Sequence, residues 1–146
     1  MKNENNYPTE MFVEFDSTLS YRVKSKVGNQ TFELIFDNLS YMSYDKRRTY
    51  NITLVVYNKR KNSMKNLLGN ELTGRNPLAF VVKIRKAFEM IERELLEDCE
   101  QLGKECLVTC YWTDNRRRNA YMKYLLPKGY KIGKIDNEKC LYKIYK

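Results

Sequence analysis

Residues 77–112, PLAFVVKIRKAFEMIERELLEDCEQLGKECLVTCYW, contain the strongest helical pattern in the chain, followed by an apolar strand pattern. Apolar side chains recur at spacings of three and four residues, which predicts an amphipathic helix from Pro77 to about Cys99. These apolar positions are Val81, Ile84, Phe88, Ile91 and Leu95. After a turn at Gly103, the run ECLVTCYW is apolar at successive positions. It therefore predicts a central strand that is covered on both faces.

The start of this helix has a different composition from the rest of it. Asn76 is a suitable N-cap, and Pro77 suits the first helical position. Residues 78–82 (LAFVV) are apolar on every side of the helix. We therefore expect this end to be buried and the acidic end, residues 94–98 (ELLED), to be solvated.

Alternating apolar residues predict strands in the first half of the chain. Two such runs lie within residues 21–36, on either side of Gly28 and Asn29, a pair that suits a two-residue hairpin turn. A third run alternates over residues 50–57 and predicts another strand. The segment that follows, residues 58–66 (NKRKNSMKN), is polar and basic, and we interpret it as an exposed loop.

The end of the chain predicts a second helix and a closing hairpin. The helix is expected to start at Asp114 or Asn115 and to run to about Leu126, because Pro127 follows. A hairpin around Asp136 then completes the pattern. The whole chain predicts one mixed α/β (α+β) domain, residues 1–146, with a mobile start over residues 1–9.

The chain contains four cysteines and no histidine. Without an imidazole, Ser-His-Asp and Cys-His nucleophilic schemes are excluded. The cysteines form no C-x-x-C pair, so we expect no metal site. Cys106, Cys110 and Cys140 fall within apolar strand-like runs, and we interpret the cysteines as buried free thiols of a reducing compartment.

The net charge of +9 is concentrated near the C-terminus. Residues 103–146 contain 11 Lys and Arg against 4 Asp and Glu, whereas residues 1–102 contain 16 against 14. Such a surface favours polyanions, including a phosphorylated cofactor, nucleic acid or an acidic protein. No apolar run is long enough for a membrane span or a signal-peptide core, so we expect a cytoplasmic protein without a membrane partner.

The loop before the first helix carries residues that suit anion binding. Gly74 lets a ligand approach the backbone closely, Arg75 adds a cation, and a helix start offers free N–H groups. Thr73 and Asn76 complete this loop. Together they describe a phosphate cradle, although an ordinary capped turn explains the same residues.

The second helix start places Arg116, Arg117 and Arg118 in the first turn, where the helix macrodipole disfavours cations. Asp114 can offset part of this effect as an N-cap. Two interpretations remain: an anionic partner whose phosphates suit guanidinium groups, or a solvated basic surface.

The order of these features resembles the GNAT N-acetyltransferase family. The features are a loop entering a helix, a central strand, a helix that opens with Asn115, the step Lys128-Gly129-Tyr130, and a closing hairpin. The resemblance covers about residues 70–146. It implies a single GNAT-like domain with a mostly antiparallel sheet, helices packed on it, and one splayed parallel strand pair with a V-shaped gap. The pantetheine of acetyl-CoA would lie in that gap.

The resemblance also implies an activity, the transfer of an acetyl group from a CoA thioester to an amine acceptor. The residues expected to bind acetyl-CoA are Thr73, Gly74, Arg75, Asn76, Asn115, Arg116 and Arg117. Tyr121 or Tyr124 would be the acid that protonates the leaving thiolate. A structural role explains either tyrosine equally well, since the chain has 12 tyrosines.

One departure from the family pattern favours an alternative. The segment GNELTGRNPL lacks the family's Q/R-x-x-G-x-G/A loop. The alternative is a non-catalytic GNAT-like binding module, similar to small phage-encoded members of the family. It would engage nucleic acid or an acidic host protein through its basic C-terminal face.

Overall fold

The computed structural model describes residues 10–28, 30–40, 48–58, 63–66 and 77–146. They form eight strands, two α-helices and one 3₁₀ turn. In chain order these are β1 (Val13–Phe15), β2 (Tyr21–Val27), β3 (Gln30–Asn38), β4 (Arg48–Asn58), β5 (Ser63–Asn66), α1 (Pro77–Leu102), β6 (Cys106–Cys110), α2 (Asn115–Leu125), the 3₁₀ turn (Leu126–Lys128), β7 (Lys131–Ile135) and β8 (Glu138–Tyr145).

All eight strands belong to one mixed sheet. Its main path is β1-β2-β3-β4-β6-β8-β7, and β5 is added to β4. β4 and β6 are parallel, with α1 in the crossover between them, and the other described pairs are antiparallel. The predicted mixed α/β fold with a mostly antiparallel sheet is therefore confirmed.

Both predicted hairpins are confirmed. β2 and β3 pair up to Val27 opposite Gln30, and Gly28 between them has a φ of +61°. β7 and β8 pair up to Ile135 opposite Glu138, across Asp136 and Asn137 with φ of +51° and +68°. Two successive positive φ values are those of a type I′ turn, which matches the twist of paired strands.

Both helices pack on the same face of the sheet. The rings of Phe80 and Phe88 in α1 contact Phe32 and Phe36 in β3, with centroids 5.7 Å and 5.3 Å apart. Tyr124 of α2 contacts Phe88 edge-on at 5.4 Å, so α2 lies beside α1. The hydrophobic core lies between these helices and this face of the sheet.

The expected burial of the first turns of α1 is wrong, because Leu78 is 75% exposed and Val82 is 55% exposed. Both glutamates of the acidic segment 94–98 are exposed, as expected, and Leu95 is buried as part of the apolar stripe. The buried stripe enters the core at Phe80, one position before the expected Val81. A helix presents only one stripe to a sheet, and the other apolar residues of the first turns fall outside that stripe.

The segment predicted as a loop contains a strand. Within residues 58–66, β5 pairs with residues 55–58 of β4 as an antiparallel ladder. Its sequence, SMKN, has little β-propensity. The pairing satisfies backbone groups of β4 at an edge that would otherwise lack partners, which is a tertiary requirement that local sequence does not display.

Two further predictions concern the limits of the fold. The expected mobile start, residues 1–9, lies outside the described residues. Within the described part of the chain, neither helix has the length and apolar character needed to cross a membrane.

Candidate functional site

The parallel strands β4 and β6 stay paired for only four residues. The ladder runs from Arg48 opposite Cys106 to Asn51 opposite Thr109. β4 continues to Asn58, and β3 pairs with its other edge from Tyr50 to Asn58. β5 and β6 must therefore share one edge of β4. Between them, residues 52–54 have no ladder partner on that edge among the described strands.

A side-chain hydrogen bond fixes the point where this ladder stops. The Thr109 hydroxyl donates to Asn51 Oδ1 over 3.0 Å. Thr109 is buried, being 1% exposed, so the bond is shielded from water. The last register pair is thus held by both backbone and side chains, and the opening in the ladder begins at a defined position.

Tyr121 is partly buried on the core side of α2. Burial raises the pKa of its hydroxyl, the neighbouring Cys110 thiol raises it further, and Arg117 acts in the opposite direction. Cys110 is the last residue of β6, so Tyr121 lies near the end of β6 where the strands part. A tyrosine with a raised pKa keeps its proton at neutral pH, so its hydroxyl does not act as a base.

The side chain of Tyr124 makes contacts that have a structural role. Its hydroxyl makes a weak hydrogen bond, 3.5 Å long, to the carbonyl of Arg85 in α1. Its ring contacts Phe88, and the Arg85 guanidinium and Lys128 ammonium lie 5.2 Å and 5.4 Å from the ring centre. These contacts dock α2 on α1. Of the two tyrosines, Tyr121 therefore fits the acid role better.

The start of α2 is occupied by a carboxylate of the chain itself. Asp114 is the N-cap, and its Oδ1 accepts a hydrogen bond of 2.8 Å from the Arg117 N–H. The Arg117 guanidinium forms an ion pair with the same carboxylate. These bonds lower the pKa of Asp114. The predicted capping role is confirmed, and it places a negative charge where a bound phosphate would lie.

The other predicted residues of this helix start differ in their exposure to solvent. Asn115 and Arg116 are exposed. Arg118 is partly buried, its Nη2 donates to Asn119 Oδ1 over 3.2 Å, and its Nε is buried without a hydrogen-bond partner in the described structure. Only Arg116 therefore presents a freely solvated cation at this turn.

The predicted phosphate loop lies outside the described residues. This applies to Thr73, Gly74, Arg75 and Asn76. α1 begins at Pro77, as predicted, so the loop leads directly into the helix start. The prediction that these four residues bind a pyrophosphate stays a prediction.

A polar cluster that the sequence did not predict lies at the opposite end of the β4–β6 pair. The Tyr21 hydroxyl donates to Asp98, and the sulfurs of Cys99 and Cys106 lie 2.7 Å apart. Arg48, the first residue of β4, contacts this group electrostatically. We call these five residues the closed end. The signal available in the sequence was the turn at Gly103, which brings the cysteines on either side of it together.

The other end of the pair we call the open end. It comprises the unpaired residues 52–54 of β4, the first turns of α1 (78–82) and the start of α2 (114–118). The β7–β8 hairpin lies at the same end and sets Lys134 directly opposite Lys139. Two like charges facing each other across a ladder destabilise it unless an anion or salt screens them.

Comparison with known proteins assigns no family to the chain. No protein-family model, curated protein or solved structure matches it. Within the described residues, no group of three or more Cys, Asp or Glu side chains is arranged to hold a metal ion. The resemblance to the GNAT family therefore stays a prediction, and the geometry of the site must support any function on its own.

Proposed function

We propose that this protein is a GNAT-like N-acyltransferase that transfers an acetyl group from acetyl-CoA to an amine. The observation that carries the proposal is the parallel pair β4–β6, whose ladder covers four of the five residues of β6 while β4 continues. α1 starts at the end where the ladder stops, and α2 follows β6. This is the order of elements that the resemblance implies around a splayed strand pair.

The unpaired edge of β4 suits the pantetheine arm of CoA. Residues 52–54 carry backbone N–H and C=O groups on an edge that has no ladder partner among the described strands. Pantetheine is an extended chain with two amide groups, and extended amides bind open strand edges by completing the ladder. The fit rests on backbone geometry and needs no particular side chain.

The reaction needs a proton donor near the leaving sulfur. Nitrogen attack forms the new C–N bond, the C–S bond breaks, the amine loses a proton and the thiolate gains one. Tyr121 is the proposed donor, because it lies near the end of β6, whereas the Tyr124 hydroxyl is bonded to the Arg85 carbonyl. Thr109 and Asn51 are positioning residues, since they fix where the strands separate.

The first experiment is a thermal unfolding measurement with CoA and acetyl-CoA. A ligand that binds only the folded protein stabilises it by about 2.7 kcal/mol at a concentration of 100 times Kd. We expect millimolar CoA to raise the melting temperature, and ATP, which has phosphates but no pantetheine, to raise it less. No change with either CoA or acetyl-CoA would contradict the proposal.

The second experiment separates binding from transfer. Release of the CoA thiol is followed with a panel of polyamines and lysine-rich peptides. Tyr121→Phe should slow the release at least tenfold and leave the CoA-dependent melting shift intact. Tyr124→Phe is the matched control and should retain most of the rate. Equal rates in both variants would remove Tyr121 from the mechanism.

A second candidate function is nucleic-acid binding at the open end. The observation that favours it is Lys134 opposite Lys139, with the exposed Arg116 at the start of α2 at the same end. Phosphates would offset these positive charges.

This candidate predicts binding that weakens steeply with salt. Fluorescence anisotropy with short single-stranded DNA and RNA should show affinity falling as salt rises from about 50 mM to about 200 mM, and Lys134→Glu should lower it further. Lys104→Glu makes the same charge change in the exposed turn after α1 and is the control. Equal effects of the two substitutions would point to net charge alone.

A further inference from the structure

The closed end contains two thiols that the proposed acyl transfer does not use. The Sγ atoms of Cys99 and Cys106 lie 2.7 Å apart, and both side chains are buried. A disulfide bond is about 2.05 Å long, so the two sulfurs need to approach by only about 0.7 Å to form one. The two sulfurs are therefore already adjacent, and a small movement of the side chains would bring them to bonding distance.

Local chain geometry explains why these sulfurs meet. Cys99 lies in the last turn of α1 and Cys106 is the first residue of β6. Gly103 reverses the chain between them with a φ of +63°, which favours glycine. The turn is closed by backbone hydrogen bonds from Gly103 N–H to Glu100 O and from Lys104 N–H to Cys99 O, of 3.3 Å and 3.2 Å.

We propose that Cys99 and Cys106 are a reversible dithiol–disulfide pair, which a small-molecule disulfide such as oxidised glutathione converts into a covalent link between α1 and β6. The proposal does not depend on the proposed acyl transfer. It identifies the chemical class of the oxidant and the two sulfurs that react.

The other two cysteines provide an internal contrast. Cys110 is paired with Leu141, and Cys140 is the residue next to Leu141 in β8. Successive residues of a strand point to opposite faces, so Cys110 and Cys140 project from opposite sides of the sheet. Both are buried free thiols, yet their side-chain directions do not allow a bridge without backbone movement.

The route of the oxidant follows from exposure. The six residues from Glu100 to Glu105 are exposed, whereas both thiols are buried. Cys106 is held by strands on both sides, opposite Arg48 and Tyr145, so local opening of the last turn of α1 exposes Cys99 first. Burial raises the pKa of the Cys106 thiol to about 12, while Arg48 acts in the opposite direction. Exchange therefore starts at Cys99 and not at the enclosed Cys106.

The chemistry consists of two thiol–disulfide exchanges. The Cys99 thiolate attacks one sulfur of oxidised glutathione, which forms a mixed disulfide and releases one glutathione thiolate. Cys106 then loses its proton and attacks the Cys99 sulfur, which releases the second glutathione. Two protein thiols are oxidised and one external disulfide is reduced to two thiols, so electrons and protons balance.

The test is to equilibrate the folded full-length chain in buffers of reduced and oxidised glutathione, trap it with acid, and map it by mass spectrometry. We expect a peptide in which Cys99 is joined to Cys106, lost again on reduction. The oxidised protein should melt at least a few degrees above the reduced protein, because the bond restricts the unfolded chain.

Variants separate this pair from the other cysteines. The double variant Cys110→Ala/Cys140→Ala keeps only the proposed pair and should oxidise as the unaltered chain does. Cys99→Ala and Cys106→Ala should form no internal disulfide. If these single variants fail to fold, peptide mapping of the unaltered chain and of the double variant still decides the outcome.

Three results would overturn the proposal. One is a disulfide that joins other cysteines in the folded protein. Another is a stable glutathione adduct on Cys99 that does not proceed to the internal bond. The third is the absence of any folded-state oxidation in buffers that oxidise the same chain in denaturant.

Discussion

Among the described residues, side chains of α1, β2 and β6 meet at the closed end, whereas apolar side chains of α1 are exposed at the open end. The Tyr21–Asp98 hydrogen bond and the two adjacent thiols fill the space between α1 and the sheet at the closed end. At the open end, Leu78 and Val82 are exposed and residues 52–54 of β4 lack a ladder partner among the described strands. Substitutions of buried side chains at the closed end are therefore expected to cost more stability than substitutions of exposed side chains at the open end.

The largest expected effect comes from truncating a leucine at each end of α1. Leu95 is fully buried and Leu78 is 75% exposed. Leu95→Ala should lower the free energy of unfolding by about 2–5 kcal/mol, because it leaves a cavity. Leu78→Ala should change it by no more than about 0.5 kcal/mol. Urea denaturation of both variants measures the difference, and equal losses would show that the open end is as well packed as the closed end.

A smaller effect is expected from removing one hydroxyl at the closed end. Tyr21→Phe leaves the Asp98 carboxylate without its Tyr21 donor, and should destabilise the fold by about 1–3 kcal/mol. Tyr124→Phe removes a 3.5 Å bond at a partly exposed site and is the matched control. Thermal unfolding of the two variants should rank them in that order. The reverse ranking would mean that the α1–α2 contact outweighs the closed end.

A still smaller effect is expected at the start of α2. Asp114→Ala removes the N-cap and leaves three arginines in the first turn without the carboxylate. The melting temperature should fall, but by less than in Tyr21→Phe. Asp114→Asn keeps the capping oxygen and removes the charge, so comparing the two variants separates the hydrogen bond from the electrostatic contribution.

The smallest expected effect is a pH dependence at the turn before β2, beside the closed end. Burial raises the pKa of Asp16, but hydrogen bonds from Thr18, Ser20 and Arg22 outweigh it and lower the pKa from 3.8 to about 2. A carboxyl whose folded pKa is depressed contributes stability above its unfolded pKa. This contribution should therefore be lost as pH falls from about 4 to about 2.

The control for this pH dependence is Asp16→Asn. The variant should be less stable at pH 7 and should lose less stability between about pH 4 and about pH 2 than the unaltered chain. Denaturant titrations at several pH values measure this slope. An unchanged slope would assign the acid sensitivity to other carboxyls.

Local sequence predicted the elements whose structure depends on local rules. The Gly28-Asn29 and Asp136-Asn137 pairs predicted both hairpins, because positive φ is available to few residues. Asp114 predicted the start of α2, because a carboxylate before a helical run satisfies free N–H groups. These features need only a few neighbouring residues, so a single sequence displays them.

Features that depend on distant contacts were not predictable in the same way. The apolar run 78–82 gave no sign of which residues face the sheet, and only Phe80 of its large residues is buried. β5 exists because β4 has an unpaired edge, which local propensity does not reveal. The Cys99–Cys106 contact requires knowing both the end of α1 and the start of β6. The acyltransferase site remains a proposal because its predicted loop lies outside the described residues.

The lysines of β7 affect how two copies of the chain can associate through this strand. β7 is the last strand on the sheet path, and no other strand of the described residues pairs with its outer edge. Lys131 and Lys134 lie on this strand, and both are exposed. A second copy adding its own β7 alongside would bring lysines close to lysines, and that repulsion weakens only as salt rises. The lysines of β7 thus oppose growth of the sheet into aggregates.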